Sequence, residues 1–378
     1  MWYSKFLCIC ALITFIYCKD ENPKKNVEPK LKFVFVTVRG PAHWPCDYPG
    51  GPTIFGRSEF TSRLSWRGRN DAYDYGVEIG KMYKEKFGIK KWTKDKYWSF
   101  ASGSPRTQQA ALVLAAGLEN KRYKKDRIWS IAKKNSTQFP AMQEYTKFYS
   151  AEKCPRFFQE LEVKYPIIKD EVIKAIAVLK EKIVPKRTAI QTPQDIWLAY
   201  ESLYNVFYSY RKKNYRKMKY WKRIRSELKQ YSKLFMWSSL TADEIQRKLA
   251  SEPENNERRL SILTVPQGIF AALVTGFAPN GTTIDAKLFD PDDLYPEHGA
   301  MHIIELYQTI DNKWQVKILY RKKKKDCLKA LRLPGCNKKG KLPPNFCALN
   351  HLKSAVNEIS LEPVKHDKLC KDPAEFYK

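Results

Sequence analysis

The sequence predicts an α/β fold, with a central, mostly parallel sheet flanked by helices and a helical domain inserted into it. Three observations carry this. Leu31–Val38 is an apolar, β-branched and aromatic run broken only by Lys32 and Thr37, the composition of a strand buried on both faces. Strand-like and helix-like segments alternate from there to Leu118, and a strand pattern returns at Arg259–Val265. Between them, Glu119–Glu254 is long, charged and aromatic, with helical periodicity in Phe157–Ile183 and Gln194–Leu234. It has no strand signal of comparable quality and reads as a helical cap over residues 119–254, leaving 31–118 and 255–378 as the α/β core.

The first strand ends abruptly at Arg39-Gly40-Pro41. In open α/β sheets ligands bind at the carboxyl ends of strands. Here that edge places Arg39, His43, Trp44 and Asp47 within nine residues, with Tyr48 next. Taken by itself, the stretch is most simply a strand followed by a proline-rich loop. Arg67–Phe87 reads as a helix, because Ala72, Tyr75, Val77, Ile79, Met82 and Tyr83 recur at helical spacings. Tyr97–Ser102 is a second short strand. Ser104 is a helix N-cap and Pro105 suits the first position of an Ala/Leu-rich helix reaching Gly117-Leu118. Arg259–Val265 leads through Pro266-Gln267-Gly268 into the apolar run Ile269–Phe277. Ile303–Tyr307 and Val316–Tyr320 read as two strands joined by a turn at Asp311-Asn312. Arg321–Lys325 is most simply a solvated basic turn, alternatively a glycan contact. In the cap, Tyr208–Arg225 interleaves basic and aromatic residues, a mixture that can bind nucleic acid. More often such a segment is a solvated helix face with its aromatics turned inward.

The chain has 378 residues, long enough for one large domain or two smaller ones, and its 43% hydrophobic content suffices for a core. Lys5, the apolar run Phe6–Tyr17 and Cys18 form a signal-peptide pattern over residues 1–18, followed by a polar tail over 19–30. The apolar run is too short to span a bilayer comfortably, and no second run of spanning length follows. The expectation is a secreted protein without a membrane span, a signal anchor being the alternative. Secretion argues against a nucleic-acid partner. Of nine cysteines, three fall in the leader, and the remaining six suggest three disulfides among about fifteen possible pairings. Asn135 and Asn280 head glycosylation sequons. No metal and no cofactor is expected. The net charge is +29, one less without the leader's lysine, and attracts anionic lipids, sulfated glycans or small anions.

The first-strand stretch resembles the signature of the histidine acid phosphatases, Arg-His-Gly-x-Arg-x-Pro. The same frame reads Arg39-Gly40-Pro41-Ala42-His43-Trp44-Pro45. Leu64, Gly68, Tyr73 and Gly76 match the family's next pattern, and the segment with Ser104, Arg106, Thr107 and Gly117-Leu118 resembles its Ser-x-x-x-Arg-Thr…Gly-Leu segment. Further on, Lys153–Phe157, Asp195–Trp197, Glu305–Tyr307 and Leu333–Cys336 extend the likeness to about Cys370. The resemblance implies the histidine phosphatase fold. It also implies that Gly40 stands at the nucleophilic histidine, His43 at the second phosphate-binding arginine, and Pro266-Gln267 at the pair containing the general acid. Glycine cannot form a phospho-enzyme, and glutamine cannot supply a proton at neutral pH. The scaffold is kept while the chemistry is gone; residual acid phosphatase activity is the least favoured reading. The family framework implies the disulfides Cys154–Cys370 and Cys336–Cys347, with Cys46 and Cys327 as the leftovers, and Met301 replaces a half-cystine the family usually carries.

The pattern is most similar to the inactive acid phosphatase-like salivary proteins of blood-feeding insects, fleas in particular. That likeness implies a secreted salivary protein which sequesters biogenic amines such as serotonin, or cysteinyl leukotrienes. Arg39 and Arg106 suit a lipid carboxylate, since two arginines facing a water-poor cleft need an anionic partner or should bind one. Trp44 and Tyr48 suit stacking, Asp47 is the acid nearest the motif for an ammonium, and Gly40, His43 and Gln267 complete the expected site. A binder of glycosaminoglycans or other anionic surfaces is the competing class.

Overall fold

The computed structural model describes residues 29–43, 63–102, 104–121, 141–142, 200–201, 204–205, 229, 232, 259–276, 296–331, 336 and 345–359. The predicted signal peptide, both sequons and most of the predicted cap, including Tyr208–Arg225, lie outside the described residues. Among the described residues no helix is long and apolar enough to cross a membrane.

The core is one mixed sheet. Strand β1 (Lys30–Arg39) lies at its centre. On one side it runs parallel to β4 (Leu260–Val265), which is parallel to β2 (Trp98–Ser102), itself parallel to the short β3 (Ala141–Met142). On the other side the pairing is antiparallel, through β5 (Met301–Gln308) and β6 (Trp314–Arg321) to β7 (Lys329–Leu331), with β8 (Phe346–Ala348) also on β6. The β1 run predicted from its composition is observed, and Val36 to Arg39 are all buried. The predicted turn of the β5–β6 hairpin is also found, with Asn312 at φ 60°, a conformation asparagine tolerates.

Helix α1 (Trp66–Lys84) begins at Ser65, whose hydroxyl accepts from the Gly68 amide at 3.1 Å and donates to Ala42 O at 2.9 Å. One side chain thus caps the helix and ties it to the loop leaving β1. Helix α2 (Pro105–Leu118) starts at its proline, as expected. Both helices cover one face of the sheet. Tyr75, Ile79, Tyr83, Leu114 and Leu118 close over Val34, Val36, Val38, Ile262, Met301 and Ile303 in one apolar core. Met301, at the position of the missing half-cystine, is fully buried here. Helix α3 (Gln267–Gly276) serves the other face, where Phe270 meets Tyr320 at 6.4 Å. Tyr320 shares its row with His302 and Thr37.

The sequence reading contained no strand at β3, β7 or β8 and no helix at α4 (Leu349–Ile359), and β3 joins the core sheet from within the segment read as a helical cap. These strands have two or three residues each, too short for a periodic signal. The implied disulfide Cys336–Cys347 is present and anchors β8. With both sulfurs bonded, the nearby group of Cys336, Cys347 and His351 has no thiolate to offer a metal. Cys154, Cys370 and Cys46 lie outside the described residues, and Cys327 is exposed.

Burial holds the His302 imidazole down to about 4, against an ordinary 6.5. The unfolded chain therefore binds this proton first, and stability falls as pH drops below 6.5. The expected loss reaches about 3 kcal/mol by pH 4. Urea unfolding of the parent and His302→Leu across that range tests it: the parent curve should fall more steeply.

Candidate functional site

The sheet topology brings several chain breaks to one edge. Arg39 ends β1 opposite Val265, the end of β4, and Ala101 of β2 pairs with Thr264. Because β5 runs the other way, its first residue, Met301, pairs with Val38, so the turn before it arrives at the same edge. Gly40 N donates to Val265 O at 2.7 Å and Arg39 N to Ala300 O at 3.1 Å, fixing the loop from both sides. A Cβ on Gly40 would lie 3.3 Å from Val265 O and 3.5 Å from the Thr107 methyl, so a side chain here enters a tight space. Thr107 is itself held, its hydroxyl lying 2.7 Å from Ser102 Oγ and 2.8 Å from Ser104 Oγ. This fixes the first turn of α2, which carries the half-buried Arg106. Gln267 opens α3; its Nε2 donates to Pro296 O at 2.9 Å, and its Oε1 is buried without a partner.

A helical segment of the predicted cap region closes over this edge. Glu201 Oε1 lies 3.6 Å from Arg39 Nη2 and 3.5 Å from His43 Nε2. Asn205, one turn further, accepts from the His43 amide at 3.1 Å and donates to Glu201 O at 2.8 Å. His298 Nδ1 meets Arg39 Nη1, and the Tyr204 ring stacks on the imidazole at 5.1 Å and 22°. Tyr200 stacks on Tyr204 in turn, at 6.0 Å. Burial pushes the Glu201 carboxyl up, but the hydrogen bond with His43 and the charges of His43, Arg39 and Arg106 outweigh it and hold it at about 2, against an ordinary 4.5. Burial lowers the His298 imidazole, helped by the charges of Arg39 and His43 and opposed by a hydrogen bond with the Gly40 backbone. It is neutral at physiological pH. The cluster therefore pairs an ionised carboxylate with a guanidinium that also touches a neutral imidazole.

The turn that carries His298 is clamped by the basic run after β6. Glu297 N donates to Lys322 O at 3.0 Å, Lys324 N to His298 O at 3.2 Å, and Arg321 Nε to Gly299 O at 2.9 Å. Gly299 sits at φ +86°, and a Cβ there would come within 2.7 Å of Lys324 N, so both the conformation and the contact require glycine. Arg321 is buried against Glu78 at 2.5 Å, while Lys324 reaches Asp71 and Asp74, each at 2.7 Å. This corrects the reading of Arg321–Lys325 as a solvated turn only in part, because Lys323 and Lys325 are exposed. Two of its cations are committed to α1, and its backbone to the His298 turn.

Of the predicted site residues, Arg39, Gly40 and His43 come together, Arg106 acts on the same Glu201 carboxylate, and Gln267 joins through Pro296, two residues before His298. Trp44, Asp47 and Tyr48 lie outside the described residues. Of the two alternatives for the cleft arginines, an anionic partner or a bound anion, Arg39 has the first: Glu201 supplies it from within the chain. Glu201, Tyr204, Asn205 and His298 were not anticipated. The pairs Tyr200/Tyr204 and Glu201/Asn205 are each four residues apart, which places both pairs on one side of a helix and was the available signal. His298 carried none, for it stands in a turn with no periodicity around it.

The chain matches the histidine phosphatase superfamily (branch 2) over residues 17–318. It belongs to that family. Relatives of the chain include two proteins of the flea Xenopsylla cheopis. The acid phosphatase-like protein XcAP-3 is 32% identical, covering 90% of this chain and 93% of the relative. The acid phosphatase-like protein XcAP-1 is 30% identical, with 90% and 95% covered. Among solved structures, a Hafnia alvei phytase in complex with myo-inositol hexakis sulphate superposes with a TM-score of 0.62 at 12% identity, over 89% of this chain and 98% of that one. The Citrobacter braakii phytase gives 0.59 at 12% identity, over 88% and 98%. At such identities the likeness concerns the histidine phosphatase fold alone.

Proposed function

We propose that this histidine phosphatase is a secreted, catalytically inactive salivary protein that binds and sequesters small host mediators in the former active-site cleft, beneath a helical cap over residues 119–254. The supporting observation is Gly40. It occupies the family's nucleophile position with no side chain to carry a phosphoryl group, and its surroundings are tight. Gln267, at the general-acid position, is an amide that cannot give up a proton. Biogenic amines such as serotonin are the first ligand class. Glu201 offers an ionised carboxylate beside the stacked rings of Tyr200 and Tyr204, the two groups an aromatic ammonium requires. Cysteinyl leukotrienes are the second class, with Arg106 as the cation for their carboxylates.

Two measurements test this. The purified protein should hydrolyse p-nitrophenyl phosphate at acid pH no faster than a buffer blank, and Gly40→His should not rescue it. Calorimetric titration should show binding of serotonin, histamine, noradrenaline or a cysteinyl leukotriene, weakened by Tyr204→Ala or Arg106→Ala in folded variants. Turnover that survives purification overturns the inactive reading. Equal binding by parent and both variants moves the ligand away from this site.

A further inference from the structure

The edge where β1, β2 and β4 end is built to hold an anion. Arg39 is fully buried there, Arg106 lies in the first turn of α2, and His43 faces the same point. A buried guanidinium needs an anionic partner, and a helix N-terminus adds a favourable field. Glu201 meets that need from within the chain, with its Oε1 3.6 Å from Arg39 Nη2 and 3.5 Å from His43 Nε2. The carboxylate is not there by accident of a flexible side chain. Asn205 binds both the Glu201 carbonyl and the His43 backbone, and Tyr204 packs on His298, which touches Arg39. The glutamate is thus held in place through the contacts of the next helical turn.

We infer that Glu201 is a built-in anion that closes the oxyanion site of this fold, so that the protein discriminates against inorganic phosphate and other tetrahedral oxyanions. Phosphate would have to displace a carboxylate tethered to the chain, which competes at a very high effective concentration. Ionisation of Glu201 holds across physiological pH, because the surrounding cations keep its carboxyl near 2 despite burial. Specificity of this kind is a repulsive element rather than a missing attractive one.

The test is titration of inorganic phosphate, with sulfate alongside, into the parent, Glu201→Gln and Glu201→Ala, each followed by calorimetry and thermal melting. The parent should show no saturable binding at millimolar phosphate. Glu201→Ala should bind at least tenfold more tightly than the parent, with Glu201→Gln between them. Adding Arg106→Ala to Glu201→Ala should abolish the gain. If removing the carboxylate lowers the melting temperature, phosphate should restore it in the variants and leave the parent unchanged. Parent binding of phosphate as tight as that of Glu201→Ala overturns the inference. So does a failure of phosphate either to bind or to restabilise both variants. Mediator binding by the parent bears only on the proposed function, so the two readings fail separately.

Discussion

Gly76→Ala should destabilise the protein by more than ~3 kcal/mol, the range of severe overpacking. A Cβ on Gly76 would lie 1.9 Å from Leu114 O, 2.8 Å from Leu118 N and 2.9 Å from Leu114 C. All three are backbone atoms of α2, so no rotamer change relieves the clash. The contact is reciprocal, since a Cβ on Gly117 would lie 2.1 Å from Tyr73 O in α1. Each helix therefore presents a glycine to the other's backbone, and the pair approaches more closely than side chains permit. Separating them would lift Tyr75, Ile79 and Leu114 off Val36 and Ile262, opening the core. Ordinary helix propensity argues the other way, favouring alanine over glycine by about 1 kcal/mol, so the sign of the result discriminates. Denaturant unfolding of Gly76→Ala and Gly117→Ala measures it. A variant as stable as the parent would mean that α1 and α2 can part without cost.

Those glycines show what was legible in the sequence. Gly76 and Gly117 stood out through the family pattern, while the reason for them, two backbones in contact, needs both helices in place. Strand β1 was readable from composition because a buried central strand leaves an apolar run. Helix α1 was readable from periodicity, and α2 from its Ala/Leu content with Ser104 and Pro105 at its start. Strands β7 and β8 were not, because pairing with β6 and a disulfide hold them rather than any local pattern. The site divides in the same way. Arg39, Gly40 and His43 lie in one short stretch, so the sequence displays them together. Glu201 is 162 residues from Arg39 and His298 is 259 away, and only the strand order brings them to one edge. The same distance explains why Arg321 and Lys324 read as solvated. A run of cations looks solvated until its acids, Glu78, Asp71 and Asp74, are found some 250 residues earlier.

Arg39→Met should cost about 3–5 kcal/mol at neutral pH, the loss expected when one partner of a buried ion pair is removed. Methionine fills much of the volume, so the cost is electrostatic: Glu201 remains buried, ionised and short of a cation, and His298 loses the guanidinium it touches. The pH dependence identifies this cause. In the parent the Glu201 carboxyl is held at about 2, below its ordinary 4.5, so its stabilising contribution is complete above 4.5 and fades as pH falls toward 2. Removing Arg39 raises the folded-state value. The stability gap between parent and variant should therefore be widest near pH 7 and should narrow on acidification below 4.5, as protonation relieves the stranded charge. A second route to the same relief is Glu201→Gln. The double variant should be less destabilised than Arg39→Met alone, giving a coupling energy of about 1 kcal/mol or more in a double-mutant cycle. Equilibrium unfolding of the four proteins at pH 7 and at pH 3 supplies every term. A gap that does not change with pH, together with additive single and double variants, would show that Arg39 holds this edge by packing alone and that Glu201 is not its counter-ion.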